Sequence, residues 1–268
     1  MKIKQLNRYQ ALIADIFFHF HKKGLTAIPF TRVELVATAD KLGIVLPKNP
    51  GDILYSFRYR NPLPEAVLKT QPKGMEWVIE GTGRAKYEFR LVPINRISPN
   101  LNLITIKIPD ATPEIISANA LSDEQALLAR VRYNRLIDIF LGITAYSLQN
   151  HLRTTVKGLG QIEIDEVYVG VDRYGCQYIV PVQAKGGSDQ LSTVQAKQDI
   201  ACCAEKFPNL VCRAISAQFM DDSKIAIFEL CLDQSGLVKT VEERHYQLVP
   251  ADRIDSSDLE SYRGRAHK

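Results

Sequence analysis

Gln161-Ile162-Glu163-Ile164-Asp165-Glu166-Val167-Tyr168-Val169-Gly170-Val171 runs through the turn Asp172-Arg173-Tyr174-Gly175 into Gln177-Tyr178-Ile179-Val180-Pro181-Val182-Gln183-Ala184. Two β-rich runs around a Gly-containing turn predict a hairpin with strands over 161–171 and 177–184. Side chains alternate across a strand, so Glu163, Asp165 and Val167 share a face, as do Gln183 and Lys185. With the turn centred on Tyr174, Asp165 lies opposite Gln183 and Glu163 opposite Lys185. All four then point to one side, and a slip of one residue would separate them.

Two carboxylates, a carboxamide and a lysine on one strand face are unusual in a strand meant for core. Carboxylates can hold a hard divalent cation such as Mg²⁺, with waters completing its octahedron. Such a cation lowers the pKa of a bound water and offsets charge on a transferring phosphate. A lysine beside it can orient the attacking water or stabilise the pentavalent phosphate. Gln183 can offer its side-chain oxygen as a neutral ligand, and the Ala184 carbonyl is a further candidate.

Working outward, a helix is predicted over 193–206, then strands over 211–219 and 224–231 and a short strand near 246–249. The last fifteen or so residues are polar and expected to fray. Upstream, Ser122 and Gln125 form a cap pattern. The helical pattern that follows runs through Leu136, Ile137, Ile139, Phe140, Ile143 and Tyr146 to Leu152. Gln149, Asn150, His151 and Arg153 are expected at the polar end of that helix, within reach of a phosphate. The sum is an α/β layer with a mixed sheet.

Gly160-Gln161-Ile162-Glu163-Ile164-Asp165, followed by Val180-Pro181-Val182-Gln183-Ala184-Lys185-Gly186-Gly187, resembles the PD-(D/E)XK nuclease superfamily over roughly residues 130–230. The usual pattern is an Asp and then Glu-x-Lys; here Gln183 takes the acidic position. A Gln-x-Lys variant is a feature of Mrr-like restriction nucleases. The resemblance implies a mixed-sheet nuclease core with helices on both faces. It implies Asp165, Gln183 and Glu163 as Mg²⁺ ligands and Lys185 as the catalytic lysine, with Glu163 placed to compensate for the neutral Gln183.

The N-terminal part reads differently. Helices are predicted over 9–23, ended by Gly24, over 31–42, with a Thr31/Glu34 capping box, and from about 50 through Phe57. Pro62 and Pro64 stop the third. Strands over 75–80 and 86–91 follow, joined by Gly81-Thr82-Gly83. Three helices and a hairpin is the order of a winged helix-turn-helix. Residues 1–100 hold 16 Lys+Arg against 8 Asp+Glu, and the rest hold 18 against 22. Arg58, Arg60, Arg84, Lys86, Lys69 and Lys73 are the candidate DNA contacts. The expected division is a winged-helix domain over 1–95, a Pro-rich linker over 96–121 containing one strand over 101–108, and a nuclease domain over 122–268.

Five cysteines without a CxxC pair suggest neither a disulfide framework nor a zinc site. No apolar run reaches membrane-spanning length, and the opening residues lack the apolar segment of a signal peptide, so a cytoplasmic protein is expected. There is no GxxxxGK[ST] signature, hence no ATP use is expected. The combined expectation is a type II-like restriction endonuclease hydrolysing double-stranded DNA at a specific site, as a homodimer. The alternatives are a non-catalytic DNA-binding regulator on a degenerate nuclease fold and a structure-specific repair or junction nuclease.

Overall fold

The computed structural model describes all residues except 1, 60, 95–96, 120–123, 187–192, 221–223, 235 and 267–268. Arg60, Ser122 and Gly187 of the sequence reading lie outside the described residues. The chain divides into two compact units, one of residues 1–95 and 155–162, the other of residues 96–154 and 163–268.

The first unit runs α1 (Lys2–Phe20), β1 (Ala27–Thr31), α2 (Arg32–Lys41), α3 (Gly51–Tyr59), α4 (Glu65–Leu68), β2 (Met75–Gly83) and β3 (Lys86–Pro93). Its three strands lie in the order β1-β3-β2, all antiparallel. Leu12, Ile13, Ile16 and Phe17 of α1 pack with Leu35, Leu54, Trp77 and Phe89 in one core. The Thr31/Glu34 capping box starts α2. β1 was not anticipated, although Ile28 and Phe30 alternate inward and Pro29 outward. The β2–β3 turn is Arg84-Ala85, not Gly81-Thr82-Gly83, because β2 continues through a register shift between Gly81 and Gly83. Gly81 serves another end. A Cβ there would stand 2.4 Å from the Leu159 carbonyl, so only glycine fits.

The second unit is α/β with a mixed eight-stranded sheet. Its elements are β4 (Thr105–Pro109), α5 (Glu114–Asn119), α6 (Glu124–Tyr133), α7 (Leu136–Leu141), β5 (Thr144–Val156), β6 (Gly160–Val171), β7 (Gln177–Lys185), α8 (Thr193–Lys206), β8 (Val211–Cys212), β9 (Ala214–Phe219), β10 (Lys224–Leu232), β11 (Val238–Val249) and α9 (Ser256–Ala266). The strand order is β4-β11-β10-β9-β7-β6-β5, with β8 also on β7. β7 pairs antiparallel with β6 and parallel with β9. Leu127, Val131, Leu136 and Phe140 of α6 and α7 pack on Tyr168, Val182, Ile215 and Ile227. Ala196 of α8 packs on Ala214, Ala226 and Phe228, whose alternation points them the other way. Helices therefore cover both faces.

Three expectations are corrected here. Residues 144–152 are strand, not helix: Gly142 closes α7 in the left-handed conformation at φ 65°, and β5 begins two residues later. Gln149, Asn150, His151 and Arg153 therefore lie on β5, not at a helix end. Residues 96–121 are more than a linker: the strand expected there over 101–108 forms as β4, and it pairs parallel with β11. The polar C-terminus is not frayed. It forms α9, held by Asp258 to the Lys107 ammonium at 2.7 Å and by the Tyr262 hydroxyl, which accepts from the Lys107 N–H at 2.9 Å. No helix of the described residues is long and apolar enough to cross a membrane.

Candidate functional site

The β6–β7 register runs from Val171 opposite Gln177 to Glu166 opposite Val182. One further step sets Asp165 against Gln183, the register expected from the turn. The Asp165 carboxylate accepts from the backbone N–H of Ala184 at 2.9 Å through Oδ2. On its other side Gln183 stands opposite Ser216 of β9, and Lys185 opposite Gln218. Three neighbouring strands thus present polar groups on one face, where an apolar sheet surface would be the rule.

Gln183 is the centre of this arrangement and is buried. Its Nε2 donates to Asp199 Oδ2 at 2.9 Å and to the Glu163 carbonyl at 3.2 Å. A backbone carbonyl can only accept, so the nitrogen end of the amide is fixed toward these two groups. Oε1 therefore turns the other way, where it is buried without a hydrogen-bond partner. A buried acceptor in that condition costs free energy, about 1–3 kcal/mol, and calls for a donor, a water or a cation.

Burial pushes the Asp165 carboxyl above its ordinary range, opposed by the Ala184 N–H and the Lys185 charge. Burial raises Asp199 well above the usual value, opposed by the Gln183 amide and aggravated by the Asp165 charge. Two carboxyls whose ionised forms are disfavoured thus feel each other's charge, and a divalent cation bound by them would restore both to the ionised state. Lys185 Nζ reaches Glu124 Oε1, on the first residue of α6, at 3.2 Å.

Asp165, Gln183 and Lys185 are thus brought together. The Glu163 side chain is engaged elsewhere, by Arg153 Nη2 at 3.2 Å and His151 Nδ1 at 3.4 Å; its contribution to Gln183 is its carbonyl. Among the described residues no group of three or more His, Cys, Asp or Glu side chains is placed to hold a metal ion. The donor set around Gln183 is instead two aspartates and a carboxamide oxygen. These oxygens fit a hard cation that keeps several waters, as Mg²⁺ does.

Glu166, the remaining acid of the strand, points to the opposite face. It is fully buried and accepts from Arg132 Nε at 2.8 Å and the Ser147 hydroxyl at 2.5 Å.

Asp199 and Glu124 were missed by the sequence reading. Asp199 lies three residues after Ala196 and four before Cys203, both buried. An acid on the buried stripe of a helix was the available signal. Glu124 stands in the cap segment, where acids are ordinary.

Of the expected DNA contacts, Arg84 and Lys86 are exposed at the β2–β3 turn, and Lys73 is exposed. Lys69 is exposed and paired with Glu65 at 2.7 Å. Arg58 is half-buried, with Nε and Nη2 shielded from solvent, which removes it from an open basic face. His245 Nε2 meets Glu243 Oε1 at 2.7 Å.

Compared with protein-family models, with curated proteins and with solved structures, the chain matches none of them.

Proposed function

We propose that this chain is a Mg²⁺-dependent endonuclease of the PD-(D/E)XK type that cuts double-stranded DNA at a specific site, in the manner of a type II restriction enzyme of the Gln-x-Lys branch. The observation that carries the reading is the buried, partnerless Oε1 of Gln183, set beside Asp165 on the strand that ends in Lys185. The element order supports it in part: the β6–β7 hairpin is followed by α8 and then by β9, parallel to β7, as expected after the hairpin of that nuclease core. In the first unit, helix, strand, three helices (the last of a single turn) and two strands with sheet order β1-β3-β2 support the winged-helix reading.

Asp165 and the Gln183 oxygen would hold a Mg²⁺ ion, which when bound would supply water activation and charge neutralisation at the phosphate. Asp165 contributes its remaining lone pairs, one oxygen being fixed by the Ala184 N–H. Lys185 orients the attacking water once substrate competes for its ammonium with Glu124. Arg84, Lys86 and Lys73 hold the phosphate backbone, which positions the duplex without reading sequence. Cutting both strands calls for two such sites, hence a homodimer.

A second reading, a DNA-binding regulator without catalysis, draws on one observation: Lys185 is already ion-paired with Glu124. Incubation with supercoiled plasmid, linear duplex, flap and four-way-junction DNA in Mg²⁺ separates the readings. Site-specific duplex cleavage supports the proposal, cleavage confined to flaps or junctions points to a repair nuclease, and a salt-sensitive mobility shift without nicking points to the regulator.

A further inference from the structure

We infer that Asp199 of α8 supplies the negative charge that Gln183 lacks, so that strand residue and helix residue act as one unit toward the divalent cation. The inference rests on the metal-dependent reading of this site.

Asp199 is only 3% exposed, on a helix that also buries Ala196, Gln198, Cys202 and Cys203. A carboxylate in such a place is expensive unless a cation or several donors compensate it. The Gln183 amide donates one neutral hydrogen bond, and the nearby Lys185 ammonium is drawn to Glu124. A fixed acid that is nevertheless kept in the core, bonded to an amide whose own oxygen has no partner, has the chemistry of a cation ligand. The hydrogen-bond pattern also accounts for an amide at position 183. A glutamate there would set oxygen against two acceptors, the Glu163 carbonyl and Asp199. The amide satisfies both and leaves its own buried oxygen as the end without a partner. Amide on the strand and carboxylate on the helix are thus one arrangement; carboxylate on the strand and amide on the helix would be its mirror.

That reciprocity defines the test. Asp199→Asn, Gln183→Glu and the double variant Gln183→Glu/Asp199→Asn are compared with the wild-type chain. Mn²⁺ binding is followed by the electron paramagnetic resonance signal of the free ion, Mg²⁺-dependent nicking on plasmid, and folding by thermal melting. Asn at 199 keeps an acceptor for the Gln183 amide but no charge, so Asp199→Asn weakens Mn²⁺ binding by about tenfold or more, in the range that ligand-orienting partners carry. Gln183→Glu alone also loses affinity. The double variant regains an N–H···O bond and the charge, and binds Mn²⁺ more tightly than either single variant.

Wild-type binding and nicking with an unaffected Asp199→Asn would overturn the inference and leave the metal-dependent reading standing. So would a double variant no better than the weaker single. A wild-type chain that neither binds Mn²⁺ nor nicks DNA would overturn the reading itself. Where Asp199→Asn melts below the assay temperature, the double variant against Gln183→Glu decides: higher affinity in the double supports the inference and equal affinity overturns it.

Discussion

Replacing Asp199 by Asn in the metal-free protein should stabilise it, and by an amount that depends on pH. The side chains have nearly equal volume, and the Asn oxygen can accept the same bond that Gln183 Nε2 gives to Asp199. What changes is the buried charge. Burial raises the Asp199 carboxyl well above its ordinary value of 3.8, so in the window above that value the native state binds more protons than the unfolded chain. Stability then falls as pH rises through the window, at up to about 1.4 kcal/mol per pH unit, and stays lowest above the folded value. The variant does not carry this loss. Wild type and Asp199→Asn should melt at similar temperatures near pH 4, where Asp199 is protonated in the native state. At pH 8 the variant should melt higher. At about 2–4 °C per kcal/mol for a unit of this size, each pH unit of the window is worth roughly 3–6 °C. The assay is scanning calorimetry in EDTA at both pH values. With Mg²⁺ the gap at pH 8 should narrow, because an ion at a hundred times the wild-type Kd adds about 2.7 kcal/mol to the wild type but only about 1.4 kcal/mol to a variant that binds tenfold weaker. A gap equal at both pH values, or wider in acid, would refute the reasoning.

Gly81→Ala drives a methyl into the Leu159 carbonyl and should cost about 1–3 kcal/mol in urea unfolding, while Gly264→Ala, where nothing lies within 4 Å, provides the control. Phe17→Ala removes a fully buried ring that meets Trp77 and Phe89 edge-on at 5.1 and 5.2 Å; a loss of about 3–5 kcal/mol is expected. Arg84→Ala and Lys86→Ala should each lower the slope of log affinity for duplex DNA against log salt by about 1, with Arg58→Ala leaving the slope unchanged.

Much of the site was legible because a hairpin constrains itself. A turn and two alternating runs leave one register that keeps Ile162, Ile164 and Tyr168 inward, and that register alone places Asp165 against Gln183. The contacts between elements distant in sequence were not legible. Nothing in the sequence brings Asp199 to Gln183 or Glu124 to Lys185, since those meetings depend on how α8 and α6 lie on the sheet. The helix extended through Tyr146 and Leu148 failed for a local reason. Tyr146 continues the helical spacing of Ile139 and Ile143, yet it and Leu148 are exposed, at 62% and 51%, on a strand that starts where Gly142 breaks the helix. The strand expected over 101–108 forms as β4, but its parallel pairing with β11 was not legible, because the two segments are more than a hundred residues apart. Glu163 illustrates a further limit. Alternation gave its face, but neighbours on β5 decided that its carboxylate meets His151 and Arg153.

The measurement that bears most directly on the central claim is single-turnover cleavage of duplex DNA by the wild-type chain, Asp165→Ala and Lys185→Ala, each with Mg²⁺ and with EDTA. Wild type should cut only with Mg²⁺ and leave ends of defined sequence. Both variants should bind the same DNA while cutting slower by about two orders of magnitude or more, as loss of a charge-stabilising group at a reacting phosphate requires. Cleavage by Asp165→Ala or Lys185→Ala at the wild-type rate, or cleavage that persists in EDTA, would contradict the assignment of this site.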